Sequence, residues 1–146
     1  MEGNVTVIDP IEKIEKAMLD APPCGIDIPI THHLAEVDQV YMRECAIPAG
    51  SFVLGHRHKT RHYNILLSGR MRILMDGKVQ EMTGPGKIFV SEAGIRKLAF
   101  FPEDSRVLNI HCAATTNLDE LEALLIEKSD TFKEHALQQE AILLKE

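Results

Sequence analysis

The sequence predicts a mainly β protein, one sandwich or barrel with a helix before it and two helices after it. Three observations lead there. Short β-prone runs separated by Pro, Gly and Asp fill residues 26–114, at the spacing of an all-β domain. Helical periodicity is confined to about 10–20 and 117–145. Asp76-Gly77 lies between two of the β-prone runs, where that pair closes a two-residue hairpin.

Each element has a local reason. Asp9 caps a helix over about 10–20 and Pro10 stands at its first position, where a missing N–H is harmless; Ile11, Ile14, Met18 and Leu19 form its stripe and Ala21-Pro22-Pro23 ends it. The strands are Val37 to Ile47, Ser51 to Leu54, Tyr63 to Leu67, Arg70 to Met75, Lys78 to Met82, Lys87 to Val90, Lys97 to Phe101 and Arg106 to Cys112. Asn117 with Glu120 gives a capping-box-like start to a helix carrying Leu118, Leu121, Leu124 and Leu125 inward. A last helix runs from about Asp130 to Leu144 with Phe132, Ala136, Leu137, Ala141 and Leu144 facing in.

A chain of 146 residues holds one domain with a core, so 1–146 reads as a single domain. Apolar runs such as Ile65 to Leu67 are far too short to span a membrane. The N-terminus has no basic stretch leading into an apolar one, so no signal peptide is expected. Three cysteines, Cys24, Cys45 and Cys112, make neither a disulfide framework nor paired metal ligands, which fits a cytoplasmic setting. A net charge of -6 argues against a general nucleic-acid binder.

The chemistry concentrates in Gly50 to Gly69, which holds His56, His58 and His62. Histidines at i and i+2 of an extended segment project to the same side, and His62 opens the following strand. Three neutral imidazoles suit iron, zinc, nickel or manganese, or copper, and leave positions open for water or substrate.

This stretch resembles the first motif of the cupin family, Gly, five residues, His-x-His, then Glu and Gly. Gly50, His56, His58 and Gly69 match in register, with His62 where the family has Glu. In the second motif Gly86 and Gly94 match in spacing; Glu92 replaces Pro, Lys97 the His and Phe101 the Asn. The resemblance implies a jelly-roll barrel over about 26–114 and a divalent transition metal on His56, His58 and His62. The chain is also similar to small stand-alone cupins of phage or prophage genomes.

Lys97 and His111 are the candidate catalytic groups. Lys97 offers a positive charge toward an anion; His111 is a fourth ligand, a proton shuttle, or a core histidine bonded to a carbonyl. Tyr41 and Glu44 lie on an earlier strand within reach of the interior, and Tyr63 faces away from it. Arg70 and Arg72 share a strand face, either clamping an anion or lying on a solvated outer surface with Glu81 and Glu92 as partners. His32-His33 reads as a surface loop and His135 as solvated. Two functions follow: a metalloenzyme of dioxygenase, lyase or isomerase type acting on a small anionic molecule, or a non-catalytic module binding a ligand or partner. A homodimer, formed by strand edge or helices, is compatible with both.

Overall fold

The computed structural model describes residues 9–35 and 39–144, and only the backbone of Leu143. The chain divides into two compact units: 25–127, and a helical unit drawn from 1–24 and 128–146.

The larger unit carries β1 (Ile30–Leu34), β2 (Val40–Ile47), β3 (Ser51–Leu54), β4 (Arg57–His58), β5 (His62–Ser68) and β6 (Arg70–Met75). It continues through β7 (Lys78–Thr83), β8 (Lys87–Ser91), β9 (Lys97–Phe101), β10 (Ser105–Cys112), α2 (Leu118–Leu125) and β11 (Ile126–Glu127). One antiparallel sheet has the order β1-β2-β10-β5-β8, a second β3-β9-β6-β7, and β4 pairs with β11. This is a double-sheet jelly roll. The expected β2 begins at Val40; Val37 lies outside the described residues.

Alternation explains the core. In β6, Arg70 and Arg72 are exposed while Met71 and Ile73 are buried. These join Cys45, Ile47, Leu66, Met82, Ala99, Phe101 and Val107, so both sheets supply the core. Leu66 is fully buried, which stabilises the fold by about 2 kcal/mol. A second cluster sets Tyr41 of β2 against Leu121 and Leu125 of α2. Asn117 caps α2 as the sequence predicts, its Oδ1 accepting from the Glu120 N–H at 3.1 Å. Leu118 and Leu124 are exposed, contrary to expectation; a helix of eight residues buries only its i, i+4 pair here.

The segment 30–34 is a strand rather than the expected loop. All five of its residues are exposed, so it lacks the alternation that reveals strands in a sequence. In the helical unit, Asp9 caps α1 (Pro10–Asp20), accepting from the Ile11 N–H at 3.0 Å. Buried Glu15 accepts from Ser129 Oγ at 2.5 Å. Leu137 and Leu144 of α3 (Asp130–Leu144) are exposed rather than inward, because its apolar residues are spread around the helix instead of along one stripe. No helix among the described residues is long and apolar enough to cross a membrane.

Candidate metal centre

Three imidazoles converge inside the jelly roll. His58, His62 and His111 each offer a nitrogen, and these atoms lie within 4.8 Å of one another. His58 comes from β4, His62 opens β5, and His111 stands on β10 directly across from Tyr41 of β2. The rings are nearly parallel, with centroids 4.3 Å apart for His58 and His62 and 4.5 Å for His62 and His111. His56 does not belong to this group. Strand β3 stops at Leu54 and Gly55-His56 is irregular, so the i, i+2 rule for a continuous strand does not hold across His56 and His58.

The short β4 is positioned from outside. Ile126 pairs with His58, the Lys59 N–H donates to the Leu125 carbonyl at 2.8 Å, and the Gly94 N–H donates to the His58 carbonyl at 2.8 Å. Gly94 sits at φ +82°, a conformation that other residues adopt only with strain.

Lys97, the first residue of β9, closes one side of the cluster. Its Nζ donates to Ser91 Oγ at 3.0 Å, Asn64 Oδ1 at 3.1 Å and His62 Nε2 at 3.2 Å. An ammonium has three N–H groups, and all three are used. The tautomer of His62 follows: its Nδ1 donates to the Thr60 carbonyl at 3.1 Å, leaving Nε2 as the acceptor. Asn64, fully buried, donates to Ser91 Oγ at 2.8 Å and accepts from Asn109 Nδ2 at 2.5 Å. Asn64 and Ser91 escaped the sequence reading, and Asn109, which alternation puts on the face of His111, has no role in it; Asn64 likewise lies two residues from His62 on the same strand face.

Burial dominates the electrostatics. It pushes His58 down to about 2, His111 to about 3 and His62 to about 4, with neighbouring positive charge adding to each shift. All three are neutral imidazoles near pH 7, the form that ligates a metal. Burial also lowers Lys97 to about 8, helped by Arg43, so it remains an ammonium at neutral pH. Does the cluster fit a metal? The donor set is right, and the buried Nδ1 atoms of His58 and His111 have no hydrogen-bond partner among the described residues. The residues therefore fit a divalent ion, on condition that Lys97 gives up His62 Nε2.

The remaining residues singled out from the sequence fall into place. Tyr41 is buried beside the cluster, ring-stacked on His111 at 6.0 Å and bonded through its hydroxyl to His32 Nδ1 at 2.6 Å. Glu44 faces the other way, paired with Arg106 and with His33 at 3.2 Å. Arg70 and Arg72 are on the outer face, where Arg72 pairs with Glu81 at 2.7 Å, and Arg61 pairs with Glu92 at 3.1 Å. Tyr63 is exposed.

No family model and no curated protein matches the chain. Solved structures do. A variant of salicylate 1,2-dioxygenase from Pseudoaminobacter salicylatoxidans superposes with TM-score 0.56 at 10% identity, over 78% of this chain and 34% of that one. A cupin superfamily protein of Desulfitobacterium hafniense gives 0.51 at 15% identity, over 67% of this chain and 86% of its own. The Cnp3 cupin domain of Schizosaccharomyces pombe gives 0.50 at 12% identity, covering 68% and 74%. At such identities the likeness is one of architecture, and on architecture this chain has the cupin fold.

Proposed function

We propose that this protein binds a divalent transition metal through His58, His62 and His111, and acts there on a small anionic molecule. The observation that carries the reading is the convergence of three neutral imidazoles, His62 and His111 buried and His58 half-buried, whose ligand nitrogens lie within 4.8 Å of one another. The expected set was His56, His58 and His62; the proposal exchanges His56 for His111. The similarity in fold to a dioxygenase supports the enzymatic form of the reading, as does a set of three protein ligands, which leaves positions open.

When bound, a divalent ion supplies Lewis-acid polarisation of a carbonyl or carboxylate. The chain's own residues do the rest. The Thr60 carbonyl fixes the His62 tautomer so that Nε2 faces inward. Tyr41 stacks on His111 and is itself backed by Leu121 and Leu125, which holds one side of that ring in place. Lys97 holds its proton at Nζ between Ser91 and Asn64, and contributes positive charge next to the centre.

The test is metal content by mass spectrometry on protein purified without added metal. Near-stoichiometric metal that is lost in His58→Ala and His111→Ala but kept in His56→Ala is the expected outcome. Equal loss in His56→Ala would restore the His-x-His set. A parent that carries no metal and takes none up on reconstitution would leave the non-catalytic binding module as the better reading, with Lys97 as the resident cation.

A further inference from the structure

Among the described residues of the jelly roll, Arg43 is a half-buried cation on an inward strand face with no side-chain partner. It shares a face of β2 with the buried residues Tyr41, Cys45 and Ile47, and is itself half-buried. Its rung of the sheet runs Arg43, Asn109, Asn64, next to the rung that pairs Tyr41 with His111. Successive same-face rungs are about 7 Å apart, well within the reach of an arginine side chain. Arg43 makes no side-chain hydrogen bond or ion pair with any described residue. The neighbouring Glu44 points to the opposite face and is taken by Arg106 and His33. No acid among the described residues of 25–127 is buried, so none of them sits inside the jelly roll to neutralise the guanidinium. Its charge is felt at His58, Lys97 and His111, each of which it helps hold low.

We infer that Arg43 is the receptor for a carboxylate group of the ligand, gripping it beside the three-histidine centre. The inference rests on the metal reading for its location and goes beyond it in naming the group recognised. Lys97 is the obvious rival and is the weaker one. Two of its N–H groups stay with Asn64 and Ser91 even if His62 turns to a metal. Arg43 brings a planar fork of donors that matches the two oxygens of a carboxylate. A phosphate would also match the fork, leaving its third oxygen to the single N–H that Lys97 frees on releasing His62, and is the rival that the titration separates. Charge points the same way: the chain is -6 overall, while half-buried Arg43 and Lys97 face no buried acid among the described residues of 25–127 and so attract an anion inward.

The experiment titrates the cobalt-loaded full-length protein with acetate, oxalate, succinate and benzoate, and with inorganic phosphate. Cobalt absorption and thermal shift are the readouts, and the parent is compared with Arg43→Met and Arg43→Lys. At least one carboxylate should bind the parent, and Arg43→Met should lose about 10- to 100-fold in affinity at unchanged cobalt stoichiometry. Arg43→Lys, which keeps the charge without the fork, should recover part of the loss. Equal carboxylate affinity in Arg43→Met overturns the inference, as does a parent that binds no carboxylate or prefers phosphate. Running the metal-free protein in parallel separates the two readings. If the parent takes no cobalt yet a carboxylate raises its melting temperature in an Arg43-dependent way, the metal reading fails and the carboxylate receptor stands.

Discussion

Replacing Lys97 with Met should tighten metal binding by about 10- to 100-fold, and the number follows from one hydrogen bond. The lone pair that His62 would give to a metal is occupied by the Lys97 ammonium at 3.2 Å, because Nδ1 is committed to Thr60. A hydrogen bond to a charged group contributes about 1.5–3 kcal/mol, and each 1.4 kcal/mol is about tenfold in affinity. Metal binding to the parent must break that bond and bring a dication next to a cation; in Lys97→Met neither opposes it. Met keeps an unbranched side chain of similar reach, although the contact of the Lys97 ammonium with the Phe89 ring at 5.9 Å is lost. Asn64 retains its bond from Asn109, and Ser91 its bond from Asn64. Isothermal titration with zinc near neutral pH would give the two affinities, and circular dichroism melting in chelator would confirm that the variant is folded. A folded Lys97→Met that binds zinc no more tightly than the parent would refute the claim that Lys97 and a metal compete for His62 Nε2. Lys97→Arg serves as the control, since it retains the charge and should gain nothing.

Two further predictions concern the scaffold. Gly69 lies at φ +92°, and a Cβ there would come within 2.6 Å of Ser105 Cβ and 2.7 Å of the Asp104 carbonyl, so Gly69→Ala should lower stability by about 2–4 kcal/mol in urea unfolding. Metal-free protein should weaken in acid: His62 falls from 6.5 to about 4 on folding, so the native state binds protons less readily than the unfolded chain. Its stabilising effect is complete above pH 6.5, diminishes as pH falls toward 4, and amounts to about 3 kcal/mol. Unfolding midpoints across that range would check this, and a flat profile would contradict the burial assigned to His62.

Much of the fold was legible because alternation is a property of sequence. β3, β6 and β9 match their expected bounds: the start of β6 alternates polar and apolar residues, while β3 and β9 are short apolar runs bounded by turn signals. β1 was not legible, as all its residues are exposed, and two-residue β4 and β11 are too short to leave a pattern. All three histidines of the cluster were candidates in the sequence, His58 and His62 from their motif and His111 as a fourth ligand; what was not legible is the pairing of β10 with β2 and β5 that brings His111 to the other two. That pairing is a long-range fact that spacing does not encode. Arg43 and Asn64 are the same case: ordinary strand residues until the sheet order shows what stands across from them.

The partnership of β4 with β11 also sets an order of assembly. His58 is made early, but the strand that holds it in place is Ile126–Glu127, almost seventy residues later. As the nascent chain emerges, His58 and His62 are present long before His111, and His58 acquires its neighbour last of all. The histidine cluster therefore closes only when nearly the whole jelly roll has been synthesised, so an ion arriving sooner would meet an unfinished set of ligands. A ribosome-stalled series with linkers of increasing length placed after Glu127 would resolve this sequence of events, with zinc retention appearing only once β11 is clear of the exit tunnel.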